Sequence, residues 1–120
     1  MKKIRITLLD VLFSRVVRLK ADYICEVCGQ KKSVLHCSHF IGRRYRNTRW
    51  LEDNACCVCY SCHNYLDEHP RIHSEFFKKR IGSDRIEQLE ILAHSGVKVD
   101  LDEIKEQLQG KLRIYSMKEE

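Results

Sequence analysis

Two pairs of cysteines constrain the fold of this chain more than any other feature. Cys25 and Cys28 form one C-x-x-C motif, and Cys59 and Cys62 form a second. Two thiolates separated by two residues can reach the same tetrahedral ion, and two such pairs complete a closed structural zinc site. We therefore predict a structural zinc bound by these four cysteines, with the segment between the two motifs folded against it.

The alternatives for the seven cysteines are a disulfide framework or free thiols in a reduced core. The N-terminus lacks the long apolar run and the small-residue cleavage site of a signal peptide, so we expect a cytoplasmic protein with reduced thiols. That location favours metal binding over disulfides. The remaining cysteines, Cys37, Cys56 and Cys57, are predicted to be small, partly buried thiols.

The length and hydropathy of the chain fit one domain with a modest core. Its 120 residues are 43% hydrophobic, and a chain of this size does not support two separate cores. A metal site would help to stabilise such a core. We find no run of about 18 apolar residues, and so we expect no membrane span.

Basic residues are concentrated between the two cysteine pairs. Lys and Arg together number 22 against 17 Asp and Glu, a net charge of +5. Four arginines lie close together beside the histidines: Arg43, Arg44, Arg46 and Arg49. We predict that they contact DNA phosphates, which would position DNA without reading its sequence. A solvated charged loop is the alternative.

Helices are predicted on both sides of the cysteine-rich segment. An apolar stripe at helical spacing predicts a helix over residues 7–20, capped by Thr7 and Asp10; the stripe is Leu8, Leu12, Val16 and Leu19. C-terminal helices are predicted over residues 70–112, with breaks at Gly82 and Gly96. Residues 115–120 are predicted to form a frayed tail.

Within residues 22–65 the pattern predicts two strands and a helix around a metal. Alternation over residues 33–41 indicates a short strand, and a second strand is expected near Trp50. A helix is predicted over residues 55–65, capped by Asp53 or Asn54. The predicted fold class is therefore α+β.

Histidines in this segment are not needed by a closed four-cysteine zinc. Such a zinc has no open position and cannot activate water, so hydrolytic chemistry would need a second ion or an unaided base. We predict that His63, beside the second cysteine pair, binds a catalytic divalent ion. We predict His39 as the general base, since neutral imidazole accepts a proton near cellular pH. On an ideal strand His36 and His39 face opposite sides, so they need not share one ion.

The order of these residues resembles that of the HNH endonucleases of the ββα-metal fold, in the subset that carries a structural four-cysteine zinc. More narrowly, the segments CEVCG, LHCSHFIGRR, NTRWLEDNACCVCYSCHNYLDEHP and IGSDRIEQLE are similar to the NinG (Rap) recombination endonuclease family of lambdoid phages. This similarity covers roughly residues 20–112 and depends on the order and spacing of several motifs.

The resemblance implies a small ββα-metal (HNH) core and roles for particular residues. It implies His39 as the general base, Asn54 as the residue that orients the base or its loop, and His63 as a metal ligand. Many HNH enzymes carry a ligand at the position of Ser38, and the resemblance points to His36 as its substitute for the catalytic ion.

The function that the resemblance implies is metal-dependent cleavage of DNA phosphodiester bonds, in the narrower family at branched structures such as Holliday junctions. Magnesium or manganese is the expected catalytic ion, although a site of imidazoles, water and phosphate also accepts other divalent ions. A homodimer is expected because symmetric junction cleavage needs two active sites. If the chain is phage-encoded, it would act in the cytoplasm of a bacterial host.

Two other functions remain open at the level of sequence. One is a non-catalytic zinc module that binds DNA or a protein partner. The other is a sequence-specific HNH nickase that acts on linear duplex DNA.

Overall fold

A two-stranded antiparallel sheet, covered by helices, forms the centre of the protein. The computed structural model describes residues 5–117. Its elements are α1 (Leu8–Lys20), β1 (Leu35–His39), α2 (Arg46–Arg49), a 3₁₀ turn (Glu52–Asn54), β2 (Ala55–Cys59), α3 (Tyr60–Glu68), α4 (Pro70–Ile81), α5 (Ser83–Ala93) and α6 (Leu101–Met117). The predicted α+β class is confirmed by this arrangement.

Hydrogen bonds beyond the β1–β2 ladder attach neighbouring segments to the sheet. Cys37 of β1 lies opposite Cys57 of β2, and beyond the ladder the Phe40 amide donates to the Asn54 carbonyl at 2.9 Å. On its outer edge, Cys57 donates its amide to the Glu26 carboxylate at 2.6 Å and accepts from the Glu26 amide at 2.8 Å. These bonds join the first cysteine motif to β2.

The strand β2 corrects the prediction of a helix over residues 55–65. All five of its residues are buried, and α3 begins only at Tyr60. A short apolar run that is buried on both faces lacks the alternation of an ordinary strand. Because the run also contains no residue that breaks a helix, its sequence was consistent with a helix as well as with a buried strand. The strand expected near Trp50 is also wrong, because that region forms α2 and the 3₁₀ turn.

Helix α1 begins at the predicted capping box. The Asp10 amide donates to Thr7 Oγ1 at 3.4 Å, and the Thr7 amide donates to the Asp10 carboxylate at 2.8 Å. Its buried face differs from the predicted stripe, since Leu8 is exposed whereas Leu9 and Phe13 are buried. The helix packs against both the sheet and α6. Helix α1 therefore covers one side of the sheet.

The boundaries between the C-terminal helices follow their glycines. α4 begins at Pro70 and ends before Gly82, whose φ of +89° is a backbone conformation that glycine adopts freely. Gly82 is also the N-cap of α5, so Ser83 is its first residue rather than its cap. Within residues 5–117, none of the helices combines the length and apolar character needed to span a bilayer.

Helix α6 is longer than predicted. The Asp100 carboxylate accepts from the amides of Asp102 and Glu103, at 3.0 and 3.2 Å, and so caps its first turn. The helix continues to Met117, which corrects the prediction of a tail from Tyr115; residues 118–120 of that tail lie outside the described part of the chain. The Tyr115 hydroxyl donates to Glu52 at 2.9 Å and fixes this end of the helix.

Candidate functional site

Four cysteine sulfurs meet beside the junction of β2 and α3. The Sγ atoms of Cys25, Cys28, Cys59 and Cys62 all lie within 4.8 Å of one another. Zinc–sulfur bonds of about 2.3 Å in a tetrahedron would place the sulfurs about 3.8 Å apart, and those of Cys28 and Cys59 are 4.0 Å apart. The cluster could therefore hold a structural zinc, as its spacing predicted.

The backbone of the first motif is folded back to present its two sulfurs. The Gly29 amide donates to the Cys25 carbonyl at 2.8 Å, and Gly29 has a φ of +73°. The Cys28 amide points at the Cys25 sulfur, 3.5 Å away. In the second motif Cys59 ends β2 and Cys62 lies in α3, so the two do not share one helix as the sequence predicted.

The pKa values of two of these thiols are shifted by their neighbours in opposite directions. Burial alone would raise the pKa of Cys25, but backbone amides, chiefly those of Cys28 and Cys59, lower it to about 7. Burial and the neighbouring sulfurs raise the pKa of Cys62. Thiolates this close repel one another, and a divalent ion removes that repulsion by binding all four.

His39, at the end of β1, is held by a main-chain carbonyl. Its Nε2 lies 2.9 Å from the Arg49 oxygen. A carbonyl oxygen can only accept, so Nε2 carries the proton and Nδ1 keeps a free lone pair. Burial lowers the pKa of His39 and the bond to Arg49 opposes this only in part. The ring is therefore neutral at pH 7, with Nδ1 able to accept a proton.

Asn54 is fully buried and fixes the segment that follows β1. Its Oδ1 accepts from the Ile41 amide at 2.8 Å, and its Nδ2 donates to the carbonyls of Ile41 and Thr48 at 3.1 and 2.9 Å. The side chain thus joins the start of the β1–α2 loop to the end of α2. These contacts suit a residue that orients the loop after His39, whereas a role as helix cap is excluded because β2 follows it.

His36 and His63 face each other between β1 and α3. Their Nδ1 atoms are 2.9 Å apart, and their rings are nearly perpendicular at 83°. Adjacent ligands of an octahedral ion with bonds of about 2.1 Å are about 3 Å apart, so both rings could bind one divalent ion.

Asp67 is an acidic neighbour of His63 that the sequence reasoning missed. It lies one turn after His63 on α3, and its Oδ2 is 3.8 Å from His63 Nε2. The i,i+4 spacing of these two residues was the available signal. Because Nε2 and Nδ1 lie on different edges of the imidazole ring, Asp67 faces an edge of His63 other than the one that faces His36, and it is not a third ligand beside the two rings.

A pocket of about 400 Å³ is lined by the candidate base, His39, and by one of the candidate metal ligands, His63. Its walls come from α1, β1, the loop after β1 and α3, and they include Ser14, His39, Arg43, His63 and Asp67. His36 is linked to this pocket through its contact with His63. His39 and His63 share this pocket, whereas His36 is not among its lining residues; that these three histidines serve one site stays a prediction.

The arginines of the basic segment do not all lie at this pocket. Arg43 lines the pocket beside His39. Arg44 is exposed, lies over the Tyr45 ring and donates to its hydroxyl at 2.7 Å. Arg46 lines a separate cavity that contains Trp50. Of these three, Arg43 is best placed to contact a phosphate in the pocket.

Arg49 is buried, contrary to the prediction that it contacts DNA. Its Nε and Nη2 donate to the two Asp10 carboxylate oxygens at 2.9 and 2.5 Å. The Trp50 indole donates to the same carboxylate at 3.0 Å. Burial would raise the pKa of Asp10, but the bonds from Arg49 and Thr7 lower it, so the carboxylate stays ionised.

Comparisons of the chain with protein families, curated proteins and solved structures found no match. What the site can do is therefore inferred from its own residues.

Proposed function

We propose that the protein is a metal-dependent endonuclease of the HNH type, which hydrolyses DNA phosphodiester bonds in the cytoplasm. The observation that carries this proposal is that His39, with its Nε2 2.9 Å from the Arg49 carbonyl oxygen, lines the same pocket as His63. A proton acceptor beside a set of divalent-ion ligands is the arrangement that hydrolysis of a phosphodiester needs.

We further propose that β1, β2 and α3 form a ββα-metal core. His39 lies at the end of β1, Asn54 immediately precedes β2, and His63 lies in α3. The four-cysteine site connects the end of β2 to α3. A zinc there would hold α3 in place and so keep His63 facing His36.

In the proposed reaction, His39 Nδ1 takes a proton from the attacking water as its oxygen bonds to phosphorus. The bond to the leaving oxygen breaks with its electron pair, and that oxygen receives a proton from solvent. A divalent ion held by His36 and His63 would stabilise the charge that develops on the phosphate and the leaving oxygen. Arg43 would bind a phosphate oxygen at the mouth of the pocket.

Branched recombination intermediates are the substrate that we propose. The test uses a labelled four-way junction and a linear duplex of matched sequence, with magnesium or manganese, for wild type, His39→Ala and His63→Ala. We expect cleavage of the junction by wild type and a loss of roughly 10²- to 10⁴-fold in His39→Ala with DNA binding retained. His69→Ala, which changes an exposed histidine of the helical region, is the matched control and should cleave normally.

Each other outcome points to a specific alternative. Cleavage at one defined site of the linear duplex would favour a sequence-specific nickase. Tight DNA binding by zinc-loaded wild type without any cleavage would overturn the proposal in favour of a non-catalytic zinc module. If the junction is cut symmetrically, sedimentation should show a homodimer, because each copy supplies one site.

A further inference from the structure

The carbonyl that holds His39 lies between two residues whose side chains are anchored to one carboxylate. Arg49 donates through Nε and Nη2 to Asp10, and the next residue, Trp50, donates through its indole to Asp10 Oδ1 at 3.0 Å. Between their Cα atoms lies the peptide unit that contains the Arg49 carbonyl. Because a peptide unit is planar, fixing its two flanking residues fixes the direction of its carbonyl.

We propose that Asp10 positions the general base, acting through the Arg49 carbonyl. The proposal deepens and rests on the nuclease function, in which His39 must offer Nδ1 to water. Asp10 would keep the Arg49 carbonyl directed at His39 Nε2. The hydrogen bond between them would then fix both the orientation of the ring and the tautomer with the proton on Nε2. If the carbonyl turned away, the proton could move to Nδ1, and that nitrogen could then no longer accept a proton.

Asp10 is itself held rigidly, as a positioning residue needs to be. Its Oδ2 accepts from the Thr7 amide at 2.8 Å and from the Thr7 hydroxyl at 3.0 Å. Arg49 Nη2 also donates to the Arg5 carbonyl at 2.8 Å. The start of α1 is thereby connected, through Asp10 and Arg49, to the base on β1.

Stability alone does not account for this buried pair. Removing two charges from water costs about as much as their attraction returns, so apolar side chains of similar volume would serve a helix contact equally well. An apolar pair would not fix the orientation of a carbonyl. The directional bonds to Asp10 do, and this is the property that the base requires.

The test measures the tautomer of His39 by long-range ¹H–¹⁵N correlation in zinc-loaded protein, together with single-turnover cleavage. In wild type we expect the Nε2–H tautomer. In Asp10→Asn we expect a substantial Nδ1–H population and a loss in cleavage rate of roughly 10- to 100-fold, as found for residues that orient a functional group from behind. Trp50→Phe removes only the hydrogen bond from the indole to Asp10 and leaves those from Arg49. It should therefore raise the Nδ1–H population of His39 by less than Asp10→Asn does.

Val17→Ala is the matched control, because Val17 is buried on the same helix and lies away from the carboxylate in sequence. It should weaken folding without changing the tautomer. An unchanged tautomer in folded Asp10→Asn would overturn the proposal; if that variant does not fold, an unchanged tautomer in Trp50→Phe overturns it. Because the tautomer is measured without DNA, the nuclease function and the positioning role are tested separately. If wild type fails to cleave but Asp10→Asn shows the expected change of tautomer, the nuclease function is refuted and the positioning role stands.

Discussion

Replacing Asn54 by Ala should destabilise the protein substantially, because its side chain satisfies three main-chain groups. The mutation removes one donor from the buried Thr48 carbonyl, which keeps the Leu51 amide at 3.3 Å, and this costs about 0.5–1.5 kcal/mol. The Ile41 amide and carbonyl lose their partners where water can partly replace them, which adds about 0.5–1.5 kcal/mol for each. We therefore expect a loss of about 1.5–4.5 kcal/mol in the free energy of unfolding.

The assay is urea unfolding of zinc-loaded protein, followed by circular dichroism with a fixed concentration of free zinc. Zinc must be held constant because its binding contributes to the folding free energy. Asn64→Ala is the matched control, since Asn64 is an exposed asparagine on α3 and its replacement should change stability by less than about 0.5 kcal/mol. A change of that same small size in Asn54→Ala would refute the role assigned to its three hydrogen bonds.

Three further predictions concern pH, charge and metal. Burial lowers the pKa of His39 below 6.5, the pKa of an ordinary histidine. We therefore expect kcat/KM to be maintained as the pH falls through 6.5 and to drop only at a lower pH, where the base becomes protonated. A drop in kcat/KM centred at or above pH 6.5 would contradict this. Arg43→Ala should weaken DNA binding and reduce by about 0.9 the slope of the logarithm of the binding constant against the logarithm of the salt concentration. Arg49→Ala should instead destabilise the fold by about 3–5 kcal/mol, because it leaves the buried Asp10 without its charged partner. Equal effects of the two variants in salt titrations and urea unfolding would be inconsistent with the structure. Removal of zinc by a chelator should unfold the region around β2 and α3, and hydrogen exchange should detect the loss of protection there; full retention of protection would exclude a structural role for the metal.

Local chemistry in the sequence predicted the parts of the fold that depend on few neighbours. The C-x-x-C spacing identified the cysteine cluster, since two thiolates at that spacing reach one ion wherever the rest of the chain lies. Thr7 and Asp10 identified the start of α1, because a capping box is complete within one turn. Gly82 likewise identified the boundary between two helices through its backbone conformation.

Features that depend on burial or on distant pairing could not be read from the sequence. The run from Ala55 to Cys59 has no alternation because both faces of β2 are covered, and the covering elements lie elsewhere in the chain. Arg49 was assigned to DNA with its neighbours, since its partner Asp10 lies far away in the sequence. Whether His39 and His63 line the same pocket depends on how α3 packs on the sheet, which strand periodicity does not specify.

The central claim is that His39 acts as a general base at a metal-dependent nuclease site, and chemical rescue tests it most directly. The measurement is the single-turnover rate of junction cleavage by wild type, by His39→Ala, and by His39→Ala with added imidazole. The account predicts a loss in the variant that imidazole partly restores, because the small base can enter the vacated side of the pocket and take the proton from water. Equal rates for wild type and His39→Ala, or a loss that imidazole leaves unchanged while DNA binding and zinc content are normal, would contradict it.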